Sequence, residues 1–340
     1  MSILISILIL GLVVFVHELG HFLVAKAVKA PVYKFAIGMG PVMFAKEING
    51  TEYSIRWIPL GGFVQLELEE DFESEEGSEF RQLSGLKRGA VYVAGAMFNF
   101  ILAFVLFLGI SLSSGHPGTT VEEVFDGSPA QVSGLQTGDK IISINDYKVS
   151  SWSDIPSIVS NSNGKELSVK VNRGNTQEII KVTPQLNPET KSYSIGLTPK
   201  YEKDLSKSLQ SSVTLTVHNI KNTFLGLMDV FTGLFNSNHQ SDVELSGPIG
   251  TIQVISSQTK QGLLPSIMLI ISISISLGVF NLLPIPGLDG GKILIVFIEF
   301  LRGGKKMSIE RETQITMVGL VALLILMLIA TKNDIVGLFR

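Results

Sequence analysis

His17-Glu18-Leu19-Gly20-His21 lies inside an apolar stretch that runs from Ile3 to Val28. Helical periodicity sets His17 and His21 one turn apart on one face, where two imidazoles can share a metal ion with the intervening carboxylate beside it. Polar groups at membrane depth are costly and by default functional. A pair of helix histidines that only hydrogen-bond their neighbours fits that cost poorly. The motif therefore points to a hydrolytic metal site, and its surroundings point to a membrane.

Composition supports the second half of that reading. With 45% hydrophobic and 17% charged residues and a mean hydropathy of +0.37, the 340-residue chain is too apolar for an ordinary soluble protein and too long for one small domain. A membrane protein with a soluble insert is expected. A net charge of −3 leaves no basic field for nucleic acid, and the absence of cysteine removes disulfides, thiolate metal ligands and thiol catalysis together. Any metal must be held by His, Asp or Glu. No Lys or Arg precedes the first apolar run, which continues straight into the motif, so a cleaved signal peptide is not expected.

Four spans are predicted: Ile3 to about Val28, about Ala90 to Leu112, Leu263 to Leu283, and about Ile315 to Ala330. Lys26, Lys29, Lys34, Lys46, Arg81, Lys87 and Arg88 lie between spans one and two. Lys292, Arg302, Lys305, Lys306 and Arg311 follow span three. The positive-inside rule makes both segments cytoplasmic and turns the termini and the long middle segment outward. At 1.5 Å per residue, His17 and His21 then lie about 22 to 30 Å along the helix from its outer end, in the cytoplasmic third. Span three also runs inward, and the Asn281-Leu-Leu-Pro284-Ile-Pro286-Gly-Leu-Asp289-Gly290 segment ends it at about the same depth. Two prolines cannot continue a helix, and unpaired carbonyls at that depth need protein or a watery cavity. Asp289 is thus either the wall of a site or an N-cap for a helix from Gly290 to Leu301; spacing does not choose.

Val42 to Ile58 reads as a hairpin around an Asn49-Gly50 type I′ turn. Pro59-Leu60-Gly61-Gly62-Phe63-Val64 is extended, either as an edge strand that pairs with another peptide or as a turn back toward span two. Glu67 to Glu79 reads as a solvated acidic loop. About Gly118 to Pro199 reads as a small α/β domain. Leu167, Val169 and Val171 alternate as a strand, Gly134 to Asn145 form a turn entering another, and a helix covers Asp154 to Ser160. Leu205 to Phe235 mixes Lys207, His218, Asn219, Lys221 and Asp229 with apolar residues, which favours an amphipathic surface helix over a fifth span. His116, His218 and His239 have no ligand spacing and read as structural or solvent-facing.

The HExxH pentapeptide, Gly61-Gly62-Phe63-Val64, Ala94-Gly95-Ala96-Met97-Phe98-Asn99-Phe100, Ser246-Gly247-Pro248-Ile249-Gly250, and Asn281 through Gly291 together resemble the bacterial site-2 proteases. Ser128-Pro129-Ala130 and Gly134 to Lys140 resemble a bacterial PDZ domain. The resemblance covers almost the whole chain. It implies a polytopic α-helical membrane protein of about four transmembrane helices, with a membrane-associated β-hairpin on the cytoplasmic side and one extracytoplasmic PDZ-like α/β domain. It divides the chain as 1–114 (spans one and two, a re-entrant hairpin about 35–66 and an acidic loop 67–79), 115–200 (PDZ-like), 201–262 (amphipathic linker helix) and 263–340 (spans three and four).

The resemblance also implies Zn²⁺ as cofactor, His17, His21 and Asp289 as its ligands, and Glu18 as catalytic base. Asn281, Pro284 and Pro286 would hold substrate, with Gly61, Gly62 and Phe63 near its path. The implied reaction is cleavage of transmembrane segments of single-span proteins, such as anti-sigma factors or remnant signal peptides, in the bacterial cytoplasmic membrane. Implied partners are those substrates, the lipid bilayer and a peptide or protein ligand of the PDZ-like domain, with no nucleic acid. The family usually has proline where this chain has Ala96. Two other classes use the same residues: a membrane-anchored PDZ adaptor whose motif no longer turns over, and a metal transporter, for which spans two and four offer almost no polar path.

Overall fold

The computed structural model describes residues 2–67, 78–187, 191–235 and 247–338, so the acidic run from 68 to 77, His239 and Ser246 lie outside the described residues. The chain divides into two compact units, one made of Met1–Leu106 with Leu215–Arg340 and the other of Phe107–Thr214.

The first unit opens with α1 (Ser2–Ala27), apolar all round apart from the HExxH face. It ends where Lys29 takes a left-handed φ of +60° and Ala30 donates to the Ala25 carbonyl at 2.8 Å. Two long strands follow, β1 (Lys34–Ile48) and β2 (Thr51–Gln65), joined through Asn49 and Gly50 at φ +50° and +72°. Positive φ at both central residues is what a two-residue turn matched to strand twist requires, and Asn-Gly supplies it. The hairpin is longer than the 42–58 pattern suggested, because β2 folds back on β1. Residues 51–55 pair with 44–48, residues 52–55 pair also with 34–37, and Gly62 to Gln65 pair with Lys34 to Ile37. Among the described residues, the 62–65 segment therefore has 34–37 on one side only. The far end of the hairpin leaves Phe44 and Trp57 more than half exposed.

A short α2 (Glu79–Gln82), capped by Ser78, leads into α3 (Gly85–Ser114), which stays helical through Ala96. Small residues let α3 touch its neighbours by backbone. A Cβ on Gly20 of α1 would come within 2.5 Å of the Ala94 carbonyl oxygen, and one on Gly278 would meet Phe100 and the Ala96 oxygen, at 2.6 and 3.2 Å. Without a hydrophobic drive inside a bilayer, such close packing is what holds helices together.

The second unit contains β3 (His116–Val124), α4 (Pro129–Val132), β4 (Lys140–Ile144), β5 (Tyr147–Lys148), α5 (Asp154–Ser160), β6 (Leu167–Arg173), β7 (Thr176–Val182), β8 (Gln185–Asn187), β9 (Ser192–Ser194) and β10 (Leu197–Glu202). Its main sheet runs β10-β3-β4-β6-β7, every neighbour antiparallel. Alternation along β6 buries Leu167, Val169 and Val171 in a core with Val121, Ile141, Ile144, Ile155 and Val159. The buried Asp139 receives a two-pronged bond from Arg173 at 2.8 Å on each oxygen. Burial alone would raise this carboxyl, but the Arg173 guanidinium outweighs it and holds the group below the ordinary carboxylate range.

α6 (Leu205–Phe235) is one continuous helix, and α7 (Pro248–Lys260), α8 (Leu263–Asn281), α9 (Asp289–Leu301) and α10 (Ile309–Leu338) complete the chain. Among the described residues, the stretch expected as an amphipathic linker, 201–262, holds two helices, α6 and α7. The second of them, α7, packs on α1, α8 and α10, and its first turn is capped by Asp334 of α10, which accepts from Gly247 N and Gly250 N at 2.9 Å each. Among the described residues, four helices are long and apolar enough to cross a membrane: Ile5–Ala27, Gly85–Ser114, Leu263–Asn281 and Ile309–Lys332. The N-terminus of α3 and the C-terminus of α9 are joined by a buried Arg88–Glu299 ion pair; Glu299 also accepts from Met307 N at 2.8 Å.

Candidate active site and metal cluster

Three side chains meet where α1, α3 and α9 converge. His17 Nε2 lies 3.1 Å from Asp289 Oδ2, His21 Nε2 lies 3.1 Å from the same oxygen, and the two Nε2 atoms are 3.2 Å apart. Both imidazoles are buried, and among the described residues these three form the group of His, Asp and Glu able to hold a metal ion. Ligand atoms about 2.0–2.1 Å from one tetrahedral centre stand roughly 3.3 Å from each other, so the observed triangle fits a zinc ion. His₂Asp is also a donor set that suits zinc.

The N-cap alternative for Asp289 is corrected by this geometry. Leu288 occupies the N-cap position, Asp289 is the first residue of α9, and its carboxylate turns to the imidazoles. The turn before it is tight. Gly287 has φ +95°, and a Cβ on Gly290 or Gly291 would collide with the backbone of Leu282 or Pro286, at 2.5 and 2.9 Å. Gly319 of α10 lies against the Pro286 carbonyl in the same way, so α10 backs the broken segment.

α3 shapes the other side. His21 Nδ1 lies 2.7 Å from the Val91 carbonyl oxygen, a pure acceptor, so that nitrogen carries the proton and Nε2 keeps its lone pair for the cluster. One turn on, Gly95 faces the rings; a Cβ there would sit 2.6 Å from His17 Cε1 and 2.7 Å from His17 Nε2, with His21 Nε2 nearer still. The space a methyl would fill is the space beside both Nε2 atoms. Sequence reasoning gave Val91 and Gly95 no site role. The available signal was a glycine among apolar residues in a span, which marks close backbone approach.

Glu18 accepts a hydrogen bond from Val64 N at 3.2 Å, and β2 runs along α1 with Pro59 against Gly11 and Gly61 against Val14. Gly61 and Gly62 are buried; Phe63 pairs with Ala36 and carries the Arg56 guanidinium over its ring at 4.8 Å. Asn281 is half-buried and donates its amide to the Leu277 carbonyl of its own helix at 3.0 Å; Pro284 is exposed and Pro286 half-buried.

A helical membrane protein whose HExxH pair is closed by an aspartate from a second, broken span has the site of a metallohydrolase. Residues 5–326 match the model of peptidase family M50. The chain is 34% identical over 337 residues to a candidate zinc metalloprotease of Clostridium acetobutylicum, covering 98% of this chain and 97% of that one. It is 35% identical over 348 residues to another from Fusobacterium nucleatum, covering both chains completely. To the regulator of sigma-W protease RasP of Bacillus subtilis it is 31% identical over 418 residues, 98% of each chain. Among solved structures, the PDZ domain of an SdrC-like protein from Listeria monocytogenes is 21% identical, covering 25% of this chain and 88% of that one with a TM-score of 0.23. The chain belongs to peptidase family M50. It is a site-2-type zinc metalloprotease, a multi-pass membrane protein of regulated intramembrane proteolysis.

Proposed function

We propose that this protease cleaves the transmembrane segments of single-span proteins, of the anti-sigma-factor or remnant-signal-peptide kind, in the bacterial cytoplasmic membrane. In this reading His17, His21 and Asp289 hold the zinc ion, and Glu18 is the general base. The active-site cluster lies near the cytoplasmic side of the membrane, and residues 115–200 form an extracytoplasmic PDZ-like domain that binds or sieves partners.

A zinc ion held by His17, His21 and Asp289 would supply Lewis acidity for the scissile carbonyl and the attacking water. Glu18 takes a proton from the attacking water and returns it to the departing amide nitrogen, so that one peptide bond is exchanged for a carboxylate and an amine. A substrate helix hides its carbonyls in its own hydrogen bonds and must unwind before attack. The observation that carries the substrate assignment is the bond from Val64 N to Glu18, since it sets the one-sided strand Gly62 to Gln65 directly beside the base. An unwound segment that pairs with this strand regains part of its lost hydrogen bonding next to the reacting carboxylate. In the same reading Asn281, Pro284 and Pro286, which precede Asp289 in the chain, help to hold the substrate.

The test is cleavage of a tagged single-span substrate by purified wild-type protein and by Glu18→Gln, with zinc assayed on both. Cleavage by the wild type alone at equal zinc is expected. Cleavage by both proteins would remove Glu18 from the mechanism, and cleavage by neither across several substrates would overturn the substrate class.

A further inference from the structure

The imidazole of His17 has a partner on its far side. Its Nδ1 lies 3.3 Å from the side-chain nitrogen of Asn99, which is fully buried, and the other half of that amide, Oδ1, has no protein partner. Val91, Gly95 and Asn99 are spaced i, i+4, i+8 and form one stripe of α3 against the two histidines. The backbone carbonyl at the first position fixes His21, and the missing Cβ at the second admits both rings. The third position carries an amide, whose oxygen and nitrogen take their places from the hydrogen bonds available to them.

In either orientation of the amide, one half lacks a protein partner, so packing does not choose between them. The tautomer of His17 does. A metal ion on Nε2 requires the ring proton on Nδ1, and an amide NH₂ facing Nδ1–H would set two donors against each other. We propose that Asn99 is a positioning residue of the metal site: its carbonyl oxygen accepts from His17 Nδ1–H and holds Nε2 toward His21 and Asp289. The inference rests on His17 being a zinc ligand. It makes α3, which contributes no ligand itself, the element that orients both imidazoles, through a main-chain acceptor for one and a side-chain acceptor for the other. Ser274 of α8 in turn donates to the Asn99 backbone carbonyl at 2.9 Å, tying the same turn of α3 to the span that leads to Asp289.

Zinc affinity, measured by chelator competition on purified full-length protein, tests the assignment with Asn99→Leu, Asn99→Asp and His17→Ala. Loss of an acceptor behind a metal-ligating histidine weakens binding by about 10- to 100-fold, so that loss is expected for Asn99→Leu. Asn99→Asp, which keeps an acceptor of the same shape, should stay within a few-fold of wild type. Equal affinity in wild type and Asn99→Leu, or equal losses in the two Asn99 variants, would overturn the role. Wild-type affinity in His17→Ala would instead overturn the ligand assignment beneath it. Since leucine at a buried polar position can unfold the chain, ¹⁵N-histidine spectra of the zinc-loaded wild type give a second readout. Protonated Nδ1 on both ligand rings is expected, and a His17 ring bound through Nδ1 would refute the proposal.

Discussion

Gly95→Ala puts the close approach of α3 to a direct test. The added methyl would sit 2.6 Å from His17 Cε1 and 2.7 Å from His17 Nε2. Ordinary contact between such atoms begins at about 3.5 Å, so close to an ångström of overlap must be relieved. The helices cannot part cheaply, because Gly20 of α1 presses on the Ala94 carbonyl at the neighbouring position. The rings must therefore swing, or the methyl must take the place beside the two Nε2 atoms. A displacement of about 1 Å at a reacting centre costs on the order of 100-fold. We expect cleavage to fall by about that factor, or roughly 2.7 kcal/mol in the barrier, and zinc affinity to weaken with it. Gly89 and Gly109 on the same helix are the controls, since a Cβ at either meets nothing within 4 Å. Alanine there should leave zinc unchanged and, by helix propensity, stabilise by up to about 1 kcal/mol. Zinc titration by chelator competition with parallel cleavage assays distinguishes the cases; a Gly95→Ala protein with wild-type zinc and activity would refute the packing argument.

Two further perturbations probe the frame around the site. Arg88→Leu strands the buried Glu299 carboxylate and should cost about 3–5 kcal/mol in thermal unfolding in detergent, whereas Arg88→Leu with Glu299→Leu should recover much of it; equal losses in both would show that the pair is not coupled. Arg173→Leu leaves Asp139 buried without its fork, at about 2–3 kcal/mol near pH 7. The Asp139 carboxyl is lowered in the folded state, so its contribution is complete above the unfolded value of about 3.9 and fades as pH falls through the folded value. The deficit of Arg173→Leu should accordingly shrink below about pH 4. Trp152 fluorescence in a Trp57→Phe background reads this unit, and a deficit independent of pH would remove Asp139 as its cause.

The parts of this protein that were legible in the sequence are those whose information lies within one segment. Hydropathy alone marks the four long apolar helices, and Asn49-Gly50 announces its turn because few residues accept positive φ twice in succession. Alternation along Leu167, Val169 and Val171 foretells a strand buried on one face. The HExxH spacing sets two imidazoles on one side of α1 before any tertiary contact exists. What the segment could not decide was which distant group meets them. Asp289 stands 272 positions from His17 and read equally well as a helix cap. Its carboxylate reaches the rings only because Gly287, Gly290 and Gly291 permit a turn that α10 supports from behind. In the same way, Gly95 and Val91 are ordinary span residues until Gly20 and Ala94 bring α3 against α1, and the strand Gly62 to Gln65 is only extended chain until β2 folds back along α1. Periodicity is local and survives in any context, whereas the convergence of donors depends on how closely small residues let backbones approach, and that distance exists only in the packed molecule.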